Sequence, residues 1–453
     1  MARSTRRHIR CSRLRRWRCL LLPQRHPLDV LVAVLVAMVL AACGEPGGPA
    51  PAGGSWSVQA SPSPLAHGVT GYAGTEEDLL SSVSCASSAY CVAVGSWAKT
   101  GANFNHPLLL DYNAGHWGPL HASEQAGGLD SVSCPSVSSC VAVGSATFAI
   151  VQGSRVLVQS LPYTIDGRLS GVSCSSASDC WAVGYGPHAY DSFSRVDPDH
   201  LLLLHLEGSK WSYVTPPTIP RLGPYAPSSL LFAVSCSDAT SCVAVGETAR
   251  SSTGAQEMLV LSYDGSSWSY VQTPTPPKHD QSWLRGLSCV SPRSCIAVGS
   301  IAVMDDSASN GYVDRTLVAE YGGTSWRIAR SPNPYGGSGS DDLSGATCVS
   351  AGRCIAVGAT TNSSGSTSNL VLASRDGNWS QVPVPNSGGN VSLGDPYFVG
   401  CSGSPCWDNA LYAVACPEPA SCFSVGSISY QSDENDQSTT PVARTLVLHY
   451  STP

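Results

Sequence analysis

Residues Ser131–Gly144 read SVSCPSVSSCVAVG, and close copies of this stretch recur along the chain. A run of small and β-branched residues precedes one cysteine, five residues separate it from a second, and VAVG follows. Seven such units occur: Cys85/Cys91, Cys134/Cys140, Cys174/Cys180, Cys236/Cys242, Cys289/Cys295, Cys348/Cys354 and Cys416/Cys422. Their endings are VAVG, VAVG, WAVG, VAVG, IAVG, IAVG and FSVG. Successive first cysteines lie 49, 40, 62, 53, 59 and 68 residues apart. Constant units at uneven spacing mark a repeat array with loops of variable length.

Each unit has a second half. LLLLHLEGSKWSYV (Leu201–Val214) and MLVLSYDGSSWSYV (Met258–Val271) are apolar runs that meet a Gly-containing turn and then a Trp strand. That is the pattern of a β-hairpin. The cysteine unit reads as another hairpin, with VSC and CVAVG as its arms. Two hairpins make four antiparallel strands, and seven such units predict an all-β, seven-bladed β-propeller. The Trp strands lie at Trp56, Trp117, Trp211, Trp268, Trp326 and Trp379, and the second unit has SRVLVQ (Ser154–Gln159) instead. The seventh unit ends at TLVLHYSTP without a fourth strand, while an unmatched one, GSWSVQASPSP (Gly54–Pro64), precedes the first unit. The N-terminal strand is therefore expected to complete the last blade and close the ring, which removes exposed sheet edges.

The residue types fit this architecture. Inner strands crowd near a propeller axis, so Ser, Ala and Gly fill the narrow places and Val packs between blades. The repeated Trp reads as a filler between blades. Cysteines that bracket a five-residue turn can meet across hairpin arms, so each pair is expected to be a disulfide within its own hairpin. Zinc is the alternative, but it favours ligands two to four residues apart in converging pairs. A redox pair would need C-x-x-C. Cys401 and Cys406 form an eighth pair in an insertion before the last unit. No metal site and no cofactor is expected.

Charged residues make up only 13% of the chain, against 44 Gly and 32 Pro. Residues 1–42 hold nine of the 25 basic residues and one of the 32 acidic ones. The remainder is strongly acidic, which disfavours nucleic acid as a partner. The start of the chain reads as an export signal: a basic segment, then the apolar stretch LVAVLVAMVLAA (Leu31–Ala42), too short for an easy membrane span. LAAC (Leu40–Cys43) resembles a bacterial lipobox, which implies lipid on Cys43. An ordinary cleaved signal is the alternative, and STRRHIR is similar to a twin-arginine signal. The expected organisation is a lipoprotein signal peptide (1–42), a lipidated Cys with a Pro/Gly tether (43–53), and a propeller (54–453). Sixteen cysteines beyond residue 43 suit an oxidising exterior. The protein is thus expected on the outer face of the cytoplasmic membrane, or secreted if the lipobox is not used.

Turns such as SYDGSSW (Ser262–Trp268) resemble the Asp-box turns of BNR-repeat propellers, although Asp264 and Gly265 are adjacent here. With seven units, residues 54–453 resemble a BNR-like or photosystem-assembly-factor-like propeller. Some BNR propellers are sialidases, which use three arginines, a Tyr–Glu nucleophile pair and an Asp acid. That pattern is not met here: TIPRL (Thr218–Leu222) has its letters in the wrong order. No nucleophile elbow, HExxH or P-loop appears, and no catalytic residue is assigned. Two classes of function stay open. One is a membrane-anchored scaffold, expected to be monomeric, that binds a protein or glycan ligand. The other is a sialidase-like glycoside hydrolase or lyase. Strand order places the short disulfide and Asp-Gly turns on one face and the long, individual loops on the other. Tyr225, Trp283, Tyr335 and Trp407 on the long-loop side are the candidate ligand contacts.

Overall fold

The computed structural model describes residues 54–63, 77–98, 106–122, 127–145, 147–160, 167–186, 201–220, 229–249, 255–277, 279–306, 308, 311–336, 339–363, 365–386, 407–430 and 442–452. Within them lie seven blades of four antiparallel strands, lettered a to d from the axis outward. Blade one spans 77–120, two 129–160, three 168–213, four 229–270, five 281–329 and six 340–381. Blade seven takes strands a to c from Trp407–Glu418, Ser421–Tyr430 and Val442–Ser451, and strand d from Ser55–Gln59. The closing register runs from Ser55 opposite Ser451 to Gln59 opposite Val447. Beyond it, the Ser61 and Thr445 hydroxyls stand 2.8 Å apart. Each strand a touches strand a of both neighbouring blades, the first and seventh included, so the ring is complete.

All seven C-x5-C pairs are disulfides within their own hairpins. They are Cys85–Cys91, Cys134–Cys140, Cys174–Cys180 and Cys236–Cys242 in blades one to four, then Cys289–Cys295, Cys348–Cys354 and Cys416–Cys422 in blades five to seven. Their Cα atoms lie 3.9–4.1 Å apart. So many bonds in one domain point to an oxidising, extracellular environment.

The two halves of each bond differ in a way that the sequence reading, which gives them only a staple's role at a turn, does not anticipate. The second cysteine is a core residue. Cys91, Cys140, Cys180 and Cys242 are buried in the apolar clusters of blades one to four, and Cys295, Cys354 and Cys422 in those of blades five to seven. Each stands near the start of strand b, which is flanked by strands a and c and covered by the neighbouring blades. The first cysteine lies at the end of strand a, and all but Cys134 are only partly buried. Each second cysteine is thus an interior packing residue as well as a cross-link, and none of the seven lines the axial well described below. Cys43, Cys401 and Cys406 lie outside the described residues.

Packing between blades explains the rest of the repeat. Trp211 of blade three sits among Val141, Val143 and Phe148 of blade two, and Trp268 of blade four meets Trp181 of blade three. Trp56 fills the same place between blades six and seven. All six of these d-strand tryptophans are buried. In blades one to five the Ser before the first Cys has a second role beyond small size. Its Oγ accepts the backbone N–H of the next blade's first cysteine: Ser84 from Cys134, Ser133 from Cys174, Ser173 from Cys236, Ser235 from Cys289, and Ser288 from Cys348, at 2.9–3.0 Å. These bonds tie adjacent inner strands, which no ladder connects, at about 1 kcal/mol each. The seventh blade carries Ala415 at this position and cannot make the bond onward to blade one.

Candidate functional site: an axial well

Every strand a contains a bulge upstream of its cysteine, besides a second irregularity next to the disulfide turn. The residue left out of the pairing is Ser81, Asp130, Ser170, Phe232, Arg285, Ser344 or Tyr412 in blades one to seven. It always stands four residues before the first cysteine and directly after a buried leucine, such as Leu231 or Leu284. A bulge bends the strand and re-aims one side chain, here toward the axis. The glycine of VAVG makes the bend possible. A Cβ on Gly246 would stand 1.9 Å from the Leu230 carbonyl oxygen, and the six equivalent glycines meet the matching carbonyl at 1.9–2.1 Å.

The seven bulged residues form a ring around the axis. Above it opens a well of about 670 Å³, inside the range of small-ligand sites. Below it a narrower space of about 210 Å³ runs on between Val83, Val172, Val234, Leu287 and Val414. The ring lies at the upstream ends of the a strands, away from the disulfide turns. The well therefore opens on the face of the b–c and d–a loops. Arg168, Trp283 and Asp342 add to its wall from two residues upstream of their ring positions, Tyr185 from the end of a b strand, and Asp314 from a c strand.

The wall holds one tight ion pair and one shared guanidinium. Arg168 Nε donates to Asp130 Oδ2 at 2.7 Å, and its Nη2 donates to Oδ1 of the same carboxylate. This bidentate pair bridges blades two and three, and the Tyr185 hydroxyl lies beside the guanidinium. The Arg285 guanidinium sits 5.1 Å from the Phe232 ring centre and 5.9 Å from that of Trp283, within reach of cation–π attraction. Three carboxyl groups feel its charge: Glu247, Asp314 and Asp342. Burial pushes Asp342 up to about 6, and the neighbouring Asp314 charge adds to the rise, against Arg285 and a hydrogen bond from Ser344. Burial likewise raises Asp314 and Glu247 above the usual carboxylate range, with Arg285 opposing. Tyr412 anchors its hydroxyl 3.2 Å from Ser427 Oγ. Among the described residues, no cluster of three His, Cys, Asp or Glu side chains is placed to hold a metal ion.

Of the four sequence candidates, Trp283 lines the well. Tyr335 is exposed on the loop before blade six and is not part of the wall. Tyr225 lies outside the described residues, and Trp407 begins strand a of blade seven with its side chain outside them. The ring itself carries a sequence signal that composition and motif reading passed over. Aligned on the first cysteine, the copies read LSSVSC, LDSVSC, LSGVSC, LFAVSC, LRGLSC, LSGATC and LYAVAC. Only the second column changes freely in size and charge.

No family model and no curated protein matches the chain. Among solved structures, the Pan2 WD40 domain of Neurospora crassa is similar at 11% identity and a TM-score of 0.46, covering 88% of this chain and 96% of that one. YCF48 bound to D1 peptide is similar at 14% identity and 0.30, covering 90% and 99%. The subtype N11 neuraminidase-like protein of A/flat-faced bat is similar at 10% identity and 0.34, covering 88% and 95%.

Proposed function

We propose that the chain is an exported, membrane-anchored scaffold that binds a protein or glycan ligand on its long-loop face, with the axial well as the recognition site. One observation carries this reading. The repeat holds its packing residues constant and varies the one residue per blade that the bulge turns into the well. Packing alone would favour like residues at seven equivalent positions. The anchor rests on LAAC and the likeness to a lipobox.

A second reading, a sialidase-like glycoside hydrolase or lyase, draws on Asp314 and Asp342. A carboxyl group held near 6 can donate a proton at near-neutral pH. Affinity capture with the full-length chain, beside a Phe232→Ala/Tyr412→Ala variant, tests the binding reading. Capture that disappears in the variant supports it. Capture that survives, and is lost instead on altering the short-turn face, overturns it. Turnover of aryl glycosides that Asp342→Asn abolishes would move the balance to the enzyme.

A further inference from the structure

We infer that the axial well receives the uncharged end of a saccharide. This rests on the binding reading above and narrows its ligand. The charges of the wall disfavour ionic ligands. An anion entering beside Arg285 would meet the carboxyl groups of Asp314 and Asp342 in the same wall, and Glu247 also acts on that guanidinium. An anion approaching Arg168 would compete with a bidentate Asp130 already in place. A cation would meet Arg168, which is 53% exposed on its side chain, and Arg285, which is also exposed. Arg168 is held by Asp130, and Arg285 is shared among several carboxyl groups, so an anion gains no free cation, while a cation that reached the carboxyl groups would stand beside the exposed guanidinium groups.

What the wall does offer is alternating donors and acceptors at short range, with flat apolar faces between them. Guanidinium groups donate, carboxylates accept, and the Ser81, Ser170 and Ser344 hydroxyls do both. A sugar hydroxyl also does both, so it can bridge an Arg–Asp pair where a simple ion cannot. The Trp283, Phe232 and Tyr412 rings provide surfaces for the C–H face of a pyranose, large in area and cheap to order. An uncharged peptide segment would present backbone groups too, but it would have to enter the axial well as a loop. A saccharide end is compact and enters end-on.

The test uses the full-length chain and a panel of neutral mono-, di- and trisaccharides built on glucose, galactose, mannose and N-acetylglucosamine. Uronic-acid and sialic-acid glycans and a random peptide pool are the comparison arms. Binding is read by calorimetry or array. Saturable binding of a neutral saccharide is expected, with affinity changing less than about threefold when salt rises from roughly 50 to 500 mM, because no ion pair forms. Ser170→Phe should weaken it at least tenfold by filling the well. An aromatic residue is tolerated there, since Phe232 and Tyr412 occupy the equivalent bulge. Ser344→Tyr is a second blocking variant on another blade, should the first fail to fold. Trp283→Ala should also weaken binding at least tenfold. Binding confined to acidic glycans or peptides overturns the inference, as does neutral binding that both blocking variants leave intact. If no saccharide binds while capture of a protein is still lost in the Phe232→Ala/Tyr412→Ala variant, the inference falls and the scaffold reading stands.

Discussion

The two ends of each inner strand obey opposite rules. The downstream end, from the bulge to the first cysteine, is nearly the same in every blade. Val83, Val132, Val172 and Val234 pack alike, serines tie blade to blade, and a disulfide follows. The upstream end differs in every blade: Leu79–Leu80–Ser81 in one, Trp283–Leu284–Arg285 in another, Asp342–Leu343–Ser344 in a third. Between them stands one constant leucine whose burial fixes the strand's depth. The contrast teaches where a repeat protein keeps stability and where it keeps recognition. Residues buried between blades are bound by seven-fold geometry, while a residue turned toward the axis is free to change.

The bulge is where the two ends meet, so the largest effect should come from breaking it. Gly246→Ala places a Cβ 1.9 Å from the Leu230 carbonyl oxygen and 2.9 Å from the Leu231 Cα. Both obstacles are backbone, so the strands must part. The expected cost is about 3 kcal/mol or more, read as a lower denaturation midpoint. Gly115→Ala is the control: it lies in a c–d turn at φ +91° with nothing nearby, and strain alone should cost about 1 kcal/mol. Equal losses at the two sites would mean that the close approach at the bulge does not govern this position.

At the constant end, Cys289→Ser/Cys295→Ser should cost at least about 2–2.5 kcal/mol by loss of a short closed loop, and a hydroxyl at the buried Cys295 position adds to that. The chain should remain folded, because the other six hairpins keep their bonds. Ser235→Ala should cost less, about 1–2 kcal/mol, by leaving the Cys289 N–H without its 3.0 Å acceptor. Chemical denaturation of both variants gives the ranking, and a serine that outweighed the disulfide would reverse the role assigned to each.

Most of the fold was legible in the cysteine pairs, the Trp strands and the unmatched strand at Trp56. These features repeat because packing repeats, and packing is what periodic sequence records. The serine before each cysteine was legible as a small residue but not as a hydrogen-bond acceptor, since its partner lies 41 to 63 residues away in sequence. The second cysteines were legible as bonding partners but not as core, because the residues that cover them come from neighbouring blades. The well was harder to see for a related reason. Its residues are the ones that break the repeat, so a search for what recurs discards them. Trp283 was singled out as an exposed aromatic, yet its value comes from Arg285 beside it and Asp342 one blade on. The sequence shows that first adjacency; the second exists only once the ring closes.

The smallest expected effect tests the variable end alone. Asp342 holds its proton up to about pH 6 in the folded chain, above the usual value of 3.8. Between those two pH values the folded state binds a proton that the unfolded chain has released. Stability from this group is therefore greatest below about pH 4, falls as pH rises through 4 to 6, and stays lower above. Asparagine has no such titration. Asp342→Asn should match the parent's pH trend below about pH 4 and gain on it by roughly 1 kcal/mol above pH 6, discounted for partial solvent access. Urea denaturation at pH 4 and pH 7.5 measures the gap at each. Arg285 and Asp314 face the same carboxyl group and push its pKa in opposite directions, so removing each should move the gap oppositely. Arg285→Gln should widen the gap at pH 7.5 by removing the attraction that favours the ionised form, and Asp314→Asn should narrow it by removing the repulsion. A gap that neither pH nor these two variants alter would mean that Asp342 is ionised like an exposed carboxylate, and that the well is wetter and less closely matched in charge than its wall implies.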